Sequence, residues 1–493
     1  MTVNRINALS LAACCVLAAG CFAERGNTGA DEREGGFVCA FDIAVDASDS
    51  IYVTGDAYGL VVEAFHPFLA KLDSAGDLEW GRCWGESCDG FADGRGFRVS
   101  ISESGDVYVA GDFRGECDFD PGHNQVCRES CGEHDIFLSK FDSAGQLQWA
   151  RTWGGAEKDW GYAVVPDRLG NTYLVGFLGA LVSFDAPGGA QVLGVADQGT
   201  ADQGTSFFAR VDSHGNCLWA RTLQDLGLCG VAPAGDGSVL TLGLFSTGVE
   251  SDPDSGTTEN TMVDSRPRSY QLTKFDLTGE PVWQRPVVPG PDLAYGSSVS
   301  VLCADPGGSI YVAGGFEGTL CLGSEKAVTL RCPGGKRAEF ISRLDSSGRV
   351  EWARSWGEGG SIVCADIEAD GLAGVYIVGD FFAGDDFDFD AGTESRKVVA
   401  RGGRDAFLAR FDPEGEPLWI RTWGGVDSDV ALAVAVDSCG DVSVGGSFSA
   451  IVDFDPGDEE EQRNSEGWTE AFVSTFDSKG NFIWVATGAD FRF

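Results

Sequence analysis

The sequence predicts an all-β fold, a seven-bladed β-propeller of four-stranded antiparallel blades. Three observations lead to this prediction. A repeat of about 67 residues recurs seven times along the chain. Short apolar runs alternate with segments of Gly, Asp, Ser and Pro, which is typical of strands joined by turns. Long stretches with helical apolar spacing are hard to find. The chain has 493 residues, and its repeat takes precedence over a division into several domains by length.

The most regular landmark is an aromatic strand, an Asp-x-x-Gly turn and a strand that contains a tryptophan. The first copy reads FLAKLDSAGDLEW and the last reads FVSTFDSKGNFIW. One tryptophan occupies the equivalent position of every copy: Trp80, Trp149, Trp219, Trp283, Trp352, Trp419 and Trp484. Because large aromatic side chains dominate buried area, we expect these seven to be core residues that pack blade against blade. Trp160 and Trp468 fall outside the pattern and are freer to bind a ligand.

A second landmark is an apolar strand, a turn, and a further strand that reaches a glycine. Its seven copies lie around Gly55, Gly111, Gly176, Gly243, Gly314, Gly379 and Gly446. The two landmarks together supply four strands in two hairpins. In the Asp-x-x-Gly turn, Asp accepts backbone hydrogen bonds and Gly takes the left-handed conformation. Four-stranded sheets of this kind pack radially in a propeller.

The repeats are in phase with the chain, which begins its first strand pattern near Phe37 and ends its last after Trp484. We therefore expect no strand exchange between the first and last repeats. Closure would rest on packing between blades one and seven, with Asp490 to Phe493 as a possible additional pairing segment. We assign residues 37–487 to the repeats and residues 488–493 to a C-terminal tail.

Residues 1–20 are predicted to be an export signal. Arg5 supplies a positive n-region, and the apolar run up to Gly20 is too short to span a bilayer comfortably. The stretch LAAGC that ends at Cys21 resembles a bacterial lipoprotein signal, which implies lipid attachment at Cys21. The alternatives are a similar site at Cys14 and an ordinary cleaved signal with an incidental cysteine. Residues 21–36 are polar and Gly-rich and predict a flexible tether.

The chain is strongly acidic, with 35 Lys and Arg against 76 Asp and Glu and a formal net charge of −41. Such a charge repels phosphate backbones and excludes nucleic acid as a partner. The simplest interpretation is solubility of a large surface. Cation binding and a salty habitat are the alternatives.

An arginine follows six of the seven repeated tryptophans by two positions, and Ala486 takes its place in the seventh. The six are Arg82, Arg151, Arg221, Arg285, Arg354 and Arg421. Period-two alternation places each arginine on the face of the tryptophan. We expect an Arg–Asp or cation–π contact between blades. The functional alternative is an anion-binding ring.

Acidic loops occupy one repeat position in three copies and are calcium candidates. Their residues are Asp118 and Asp120 in CDFDPG, Asp386, Asp388 and Asp390 in DDFDFDAG, and Asp453 and Asp455 in VDFDPG. Calcium prefers several hard oxygen ligands, and clustered Asp provides them. The spacing is not that of an EF-hand, because Ala391 and Lys397 stand where that loop needs Gly and Glu. The alternative is a strand that enters an Asp-Pro-Gly turn. No other cofactor is predicted.

Thirteen cysteines remain when Cys14, Cys15 and Cys21 are set aside from the total of 16. Export permits disulfides, and an odd number leaves one thiol free or paired between chains. Local spacing favours three pairs, Cys117 with Cys127, Cys321 with Cys332, and Cys83 with Cys88. No spacing is typical of a zinc site.

The repeats resemble the bacterial β-propeller repeat known as the SBBP family. Its pattern runs from Asp-Ala-Phe-Val-Ala-Lys-Leu-Asp through Gly and Trp to Gly-Gly, then Ala-Val-Asp and Gly-Asn-Val-Tyr-Val-Thr-Gly. The segments from Asp405 to Gly425 and from Asp135 to Gly155 match it closely, and Gln271 marks the most divergent copy. The resemblance implies an exported bacterial propeller and no common catalytic residue. A looser likeness to quinone-dependent dehydrogenase repeats conflicts with the count of seven, since those enzymes normally have eight blades.

Three functions remain open from the sequence. The first is a lipid-anchored or secreted scaffold at the cell envelope, on the outer membrane or the cell surface, that binds a protein or a surface polymer. Its contact with the membrane would be through the lipid alone. The second is an enzyme acting on a carbohydrate or small molecule at the central channel, although no nucleophile elbow, phosphate loop or His cluster is found. The third is a passive structural component. Function is expected where copies differ, in the loops after Gly55, Gly176, Gly243 and Gly446.

Overall fold

The computed structural model places 37 strands and a short 3-10 turn in the part of the chain that it describes. The described residues are 37–58, 64–85, 87–122, 124–186, 189–194, 204–223, 226–245, 251–252, 257–258, 269–288, 298–323, 327–357, 361–371, 374–382, 387–388, 397–457, 459–465 and 469–491. Within them, no helix is long and apolar enough to cross a membrane.

Seven sheets each contain four main strands, here called A, B, C and D in chain order. Blade one consists of β1 (Phe37–Val45), β2 (Ile51–Tyr58), β3 (Phe65–Leu72) and β4 (Leu78–Cys83). Blade two consists of β5 (Ser87–Ile101), β6 (Val107–Asp118), β8 (Asp135–Phe141) and β9 (Leu147–Trp153), with β7 (Cys127–Glu129) paired to β6. Blade three consists of β10 (Asp159–Pro166), β11 (Thr172–Leu178), β14 (Thr205–Val211) and β15 (Cys217–Leu223), with a hairpin of β12 (Val182–Ala186) and β13 (Gly189–Leu193).

The remaining blades follow the same order. Blade four consists of β16 (Leu226–Pro233), β17 (Val239–Phe245), β20 (Ser269–Phe275) and β21 (Pro281–Val288), with β18 (Ser251–Asp252) and β19 (Thr257–Thr258). Blade five consists of β22 (Ser298–Ala304), β23 (Ile310–Leu322), β24 (Val328–Leu344) and β25 (Val350–Trp356). Blade six consists of β26 (Ile362–Ala369), β27 (Val375–Phe382), β30 (Arg404–Phe411) and β31 (Pro417–Trp423), with β28 (Phe387–Asp388) and β29 (Lys397–Val398). Blade seven consists of β32 (Val430–Val436), β33 (Val442–Phe448), β36 (Glu470–Phe476) and β37 (Phe482–Thr487), with β34 (Ile451–Asp453) and β35 (Gln462–Asn464).

The predicted fold class is confirmed, because the chain is all-β and forms seven four-stranded antiparallel blades of the β-propeller type. The contacts divide the chain into two compact units. One comprises Glu34–Gln224, Ala433–Ala450 and Arg463–Phe493, and holds blades one to three with most of blade seven. The other comprises Asp225–Leu432 and Ile451–Gln462, and holds blades four to six.

Blade one packs directly on blade seven within the first unit. Each of these sheets takes its main strands from one end of the chain, so the expectation of no strand exchange holds. Val38 and Ala40 share a buried cluster with Ala433 and Val473. The C-terminal segment adds packing to this cluster, since the 3-10 turn Gly488–Asp490 leads to the buried ring of Phe491.

The glycine of strand B has a steric cause that the sequence pattern alone does not reveal. Strand A bulges opposite it, with a register shift between Ala40 and Asp42 in blade one. A side chain on Gly55 would collide with the Cys39 carbonyl oxygen. The same collision with the facing carbonyl would occur at Gly111, Gly176, Gly314 and Gly379. The second sequence landmark therefore marks a β-bulge, which only glycine accommodates.

The turn between strands C and D is built as predicted. In blade one, the Asp73 carboxylate accepts hydrogen bonds from the backbone N–H groups of Ala75 and Asp77, each at 2.9 Å. Gly76 closes the turn with φ of +86°. This left-handed conformation favours glycine.

The repeated tryptophans are half-buried. The indoles of five of them, Trp80, Trp149, Trp283, Trp352 and Trp484, lie against the C–D turn of the next blade. The Nε1–H group of Trp80 donates to the Ser143 carbonyl at 3.2 Å. Trp149, Trp352 and Trp484 donate in the same way to the carbonyls of Ser213, Pro413 and Ser74 at 2.9, 3.0 and 3.1 Å. The repeated tryptophans are therefore less buried than predicted. The fully buried tryptophans are Trp84, Trp356 and Trp423, each four residues after a repeated tryptophan.

The arginines after these tryptophans strengthen the same contact. The guanidinium groups of Arg82 and Arg151 lie 5.4 and 5.7 Å from the ring centroids of Trp80 and Trp149. Arg151 also donates to the carbonyls of His214 and Gly215 in the next blade, both at 3.0 Å. Arg151 thus contacts the indole ring of its own strand, as the cation–π alternative predicted, and turn carbonyls of the next blade. Arg354 differs, since its Nε lies 3.0 Å from the Glu416 carboxylate of the next blade.

The turn glycine is required by its conformation and by the neighbouring indole, and substitution separates the two effects. A Cβ on Gly145 (φ +74°) would lie 2.9 Å from the Trp80 ring, whereas one on Gly105 (φ +81°) would meet nothing within 4 Å. We expect Gly105→Ala to lower the free energy of unfolding by about 1–2 kcal/mol through backbone strain. Gly145→Ala should lower the free energy of unfolding by about 1–3 kcal/mol more than Gly105→Ala does, because the added methyl group displaces the Trp80 indole. Urea unfolding measures both, and equal costs would contradict the indole contact.

Candidate functional site

Variation between blades concentrates in the connections between strands B and C. The A–B and C–D turns keep the same short form, as the closing bonds from Gly105 to Ser102 and from Gly145 to Asp142 show. The B–C connections differ in kind. Blade three inserts the β12–β13 hairpin, blade seven inserts β34–β35, and blade five extends β23 and β24 into a hairpin that pairs as far as Leu322 with Val328. In each blade, the B–C connection is therefore the candidate functional surface.

Of the two tryptophans outside the repeat pattern, the structure describes Trp160. Trp160 lies on strand A of blade three and stacks on Phe177, with ring centroids 5.7 Å apart and an interplanar angle of 27°. Its ring is thereby engaged within its own blade. Trp468 lies outside the described residues.

The acidic loops use their carboxylates to hold the backbone. Asp118 Oδ1 accepts hydrogen bonds from the N–H groups of Asp120 and Val126 at 3.1 and 2.8 Å. Asp453 Oδ1 accepts in the same way from Asp455 and Glu461 at 3.2 and 2.9 Å. Phe119 and Phe454, next in sequence, are buried. These contacts are those of the strand-and-turn alternative.

The calcium assignment remains a prediction. In the part of the chain that the structure describes, no group of three or more His, Cys, Asp or Glu side chains is arranged to hold a metal ion. Asp386 and Asp390 lie outside the described residues, and the side chain of Asp388 is likewise outside them.

The predicted disulfide pairs are wrong where the structure describes them. Cys117 and Cys321 are free thiols, so neither the pair Cys117 with Cys127 nor the pair Cys321 with Cys332 forms. The strand register explains this. Cys117 faces Arg128 while Cys127 faces Asp118, so the two side chains leave opposite faces of the β6–β7 ladder. Similarly, Cys321 faces Thr329 and Cys332 faces Gly318. Cys127 is disulfide-bonded, but not to Cys117. The side chain of Cys88 lies outside the described ones, so the pair Cys83 with Cys88 stays a prediction.

Buried acid–base pairs lie at the base of the B–C connections. In blade two, Asp112 follows the strand B glycine and its Oδ2 lies 2.5 Å from His134 Nδ1. In blade six, Asp380 takes the same repeat position and its Oδ2 lies 3.6 Å from Arg404. Both carboxyls are almost fully buried, while the basic partners are partly exposed. Each pair places a basic side chain at the surface directly above a buried acid.

Blade five contains a variant of this arrangement. Glu339 is 1% exposed, and its Oε1 lies 3.2 Å from Arg337 Nε. The Cys364 thiol donates to its other oxygen at 3.4 Å. Burial raises the pKa of Glu339 to about 7, against the opposing effect of Arg337. A carboxyl of this kind changes charge near neutral pH.

A second acidic motif fixes the end of the B–C connection and the linker between strand D and the next strand A. Asp135 Oδ2 accepts from the Cys131 N–H at 2.8 Å, and Asp405 Oδ2 accepts from the Arg401 N–H at 3.0 Å. In the D–A linker, the Asp159 carboxylate accepts a hydrogen bond from the Gly155 N–H at 2.7 Å. The equivalent bond after blade six runs from the Gly425 N–H to the Asp429 carboxylate, also at 2.7 Å. Burial raises the pKa of Asp159 to about 6. Identical geometry in two distant repeats indicates a structural role.

The sequence pattern alone does not identify these buried carboxyls as a set. The signal was present as a basic residue followed by Asp before strand C, and as Gly-Gly-x-x-x-Asp after the second tryptophan. The resemblance to the SBBP repeat includes Asp135 and Asp405 but implies no role for their carboxyls. Their environment depends on how the loops fold over them, which spacing does not show.

A cavity of about 260 Å³ lies between the A–B turns of blades four and five. Its lining includes Ala234, Pro306 and Gly308, and its single carboxylate, Asp236, is paired with Lys274 at 2.7 Å. The enzyme hypothesis requires at least two convergent carboxylates. This cavity does not supply them.

Comparisons with known proteins find a partial match to a curated protein and similarity to several solved structures. No family model matches the chain. The regulatory protein FlaEY of Caulobacter vibrioides is 31% identical over 96 residues, which is 20% of this chain and 10% of FlaEY. The chain thus matches only a tenth of that curated relative's length.

Similar solved structures include the β-propeller domain of the Trilobed protease from Pyrococcus furiosus, with 8% identity, a TM-score of 0.43, and coverage of 89% of this chain and 93% of that one. A puromycin hydrolase has 11% identity, a TM-score of 0.45, and coverage of 90% and 53%. Sqt1 from Chaetomium thermophilum has 10% identity, a TM-score of 0.42, and coverage of 83% and 94%. These similarities give no information about function.

The buried carboxyls make stability depend on pH, and Asp380 provides the test. Burial raises the pKa of Asp380 from 3.8 to about 7, with Arg404 acting in the opposite direction. The stability it contributes is complete below about pH 4 and is lost as the pH rises to about 7. Between pH 4 and 8, we expect the free energy of unfolding of Asp380→Asn to rise by up to about 4 kcal/mol relative to that of the unsubstituted chain. Denaturant unfolding across this range, with the exposed Asp427→Asn as control, measures the change. A pH-independent difference for Asp380→Asn would contradict the assignment.

Proposed function

We propose that this protein is a β-propeller binding scaffold that contacts another protein or a surface polymer through its B–C connections. One observation carries the proposal. The A–B and C–D turns are alike in geometry, whereas the B–C connections range from single ladders to added hairpins. Loops on a rigid framework carry binding functions more often than the framework itself.

The chemistry at the base of the connections supports binding rather than catalysis. The carboxyls of Asp135 and Asp405 accept backbone N–H groups, and those of Asp112 and Asp380 face basic side chains. These acids hold the loops in place. What the loops present to solvent includes exposed aliphatic side chains such as Val192 on β13 and Ile451 on β34.

We further propose that the protein belongs to the SBBP repeat type and works outside the cytoplasm, at the bacterial cell envelope, anchored by lipid at Cys21. The SBBP proposal rests on the repeated Asp-Ala-Phe, Trp and Gly-Gly pattern between Asp405 and Gly425. The anchor rests on the LAAGC stretch after a short apolar run.

Partner contact is testable by position-specific photocrosslinking. Val192 on the blade three B–C hairpin and Leu169 in the A–B turn of the same blade are exposed to similar degrees, 60% and 68%. A photoreactive side chain at position 192 should crosslink a discrete partner in native envelopes, and the same group at position 169 should not. Mass spectrometry of the adduct identifies the partner. Equal yields at the two positions, or no adduct at position 192, would argue against the proposed surface.

The lipid anchor is tested by metabolic labelling with radioactive palmitate. We expect label in the intact chain and in Cys14→Ser, and none in Cys21→Ser, because the cysteine that becomes the first mature residue carries the lipid. Detergent phase partitioning should move Cys21→Ser from the detergent to the aqueous phase. Label retained by Cys21→Ser and lost in Cys14→Ser would shift the site to the earlier cysteine.

A further inference from the structure

The second residue of strand B is a buried tyrosine in five of the seven blades. The five are Tyr52, Tyr108, Tyr173, Tyr311 and Tyr376, each at most 1% exposed. The strand register pairs them with basic residues of strand C, which are Lys71, Lys140, Arg210, Arg343 and Arg410. The cationic group of each lies 5.3–5.9 Å from the centroid of the paired ring. Since a cation is attracted to the face of an aromatic ring, this position is built to hold a phenol ring.

Blade four has the base without the ring. Leu240 takes the place of the tyrosine, and its strand C partner is Lys274. The Lys274 ammonium pairs with the Asp236 carboxylate at 2.7 Å. Blade seven differs at both positions, with Ser443 opposite Thr475. Among the seven described pairs, blade four alone therefore combines the cation with an aliphatic side chain that is shorter than tyrosine.

The cavity between the A–B turns of blades four and five occupies the place of the missing ring. Leu240 and Lys274 both line it. Ala234, six residues before Leu240, lines it as well. In blade one the equivalent of Ala234 is Asp46, whose carboxylate accepts a hydrogen bond from the Tyr52 hydroxyl at 3.2 Å. Two smaller side chains at one position therefore account for the space of about 260 Å³.

The facing wall of the cavity belongs to blade five and is apolar. It includes Ala304 and Ile310. Their equivalents in blade two, Ile101 and Val107, pack in one buried cluster with Tyr52 of blade one. The walls that enclose a tyrosine ring in other blades are thus present around this cavity. Since an apolar cavity of about 150 Å³ suffices to bind benzene, a six-membered aromatic ring fits here.

The polar side of the cavity faces solvent. Pro306, Gly307 and Ser346 line it and are exposed, and so is Asp236. A small molecule can therefore reach the cavity from outside. It would meet a carboxylate and an ammonium group first and the aliphatic walls behind them, which is a common arrangement in ligand-binding pockets.

We propose that this cavity binds a small phenol. The ring packs on Leu240 and Ile310 beneath the Lys274 ammonium, and the hydroxyl group donates to the Asp236 carboxylate. The ligand supplies the aromatic ring that blade four lacks at this repeat position. The site lies at the A–B turns, so the inference goes beyond the scaffold function proposed for the B–C connections and does not depend on it.

The experiment measures binding of 4-fluorophenol to the purified full chain by fluorine NMR. The competitors are p-cresol, toluene, which lacks the hydroxyl group, and cyclohexanol, which lacks the aromatic face. Leu240→Tyr fills the cavity with the ring of the other blades. Leu169→Tyr is the matched control, because it makes the same change at a position that is 68% exposed. Urea unfolding checks the fold of each variant.

We expect 4-fluorophenol to bind the unsubstituted chain and Leu169→Tyr saturably, with a Kd of about 0.1–1 mM. Leu240→Tyr should fold and weaken binding about tenfold or more, because its own ring excludes the ligand. p-Cresol should compete about fivefold better than toluene or cyclohexanol, since each of these loses one polar or cation–π contact.

Three results would overturn the proposal. They are no saturable binding, equal binding by Leu240→Tyr and Leu169→Tyr, and competition by toluene or cyclohexanol that matches p-cresol. If Leu240→Tyr does not fold, Lys274→Met provides the test. Loss of the ammonium should abolish the preference for p-cresol over cyclohexanol, and a preference that persists would contradict the site.

A phenol ring can belong to a free small molecule or to a tyrosine of a partner protein, and a further competitor distinguishes them. The tripeptide Gly-Tyr-Gly places the same ring on a peptide backbone, with Gly-Phe-Gly as its control. Competition by Gly-Tyr-Gly that equals that of p-cresol would identify a tyrosine side chain as the ligand. Competition about tenfold weaker would identify a free phenol.

Discussion

The contact between an indole and the C–D turn of the following blade governs the rest of this structure. It requires a tryptophan at the start of strand D, a glycine with positive φ in the turn, and a carbonyl that faces the indole N–H. All three appear where Trp80 meets Ser143 and Gly145, and again where Trp484 meets Ser74 and Gly76. Because each partner lies in a different blade, the repeat motif specifies contacts between blades as well as the fold within one.

The same design leaves one end of the blades free to vary. The turns that take part in blade-to-blade contact cannot change without loss of packing, whereas the B–C connections lie beyond the last shared ladder pairs. Buried carboxyls such as Asp135 and Asp405 fasten the base of these connections to the framework. Diversity in the loops is therefore compatible with a uniform interior.

The sequence was sufficient to predict the blade count, the strand order and the turn geometry, because each depends on local periodicity and on Asp or Gly at fixed positions. It was not sufficient for features set by register. The pair Cys117 and Cys127 has suitable spacing, yet the ladder directs the side chains to opposite faces. The tryptophans were recognised, but their half-buried position and the full burial of Trp84 depend on how neighbouring blades approach. Differences between the loops of the repeats predicted the candidate surface. The buried acids beneath it are recognised only in the structure, because their burial depends on how the linkers fold.

Blade seven contacts blade one through Trp484 and Ser74 in the manner that joins blades one and two through Trp80 and Ser143. The junction between the two chain ends is thus chemically the same as an internal junction. With no strand shared across it, the order in which the repeats are synthesised is not encoded in their contacts. A circular permutant with new ends in another linker would satisfy the same set of indole and turn interactions.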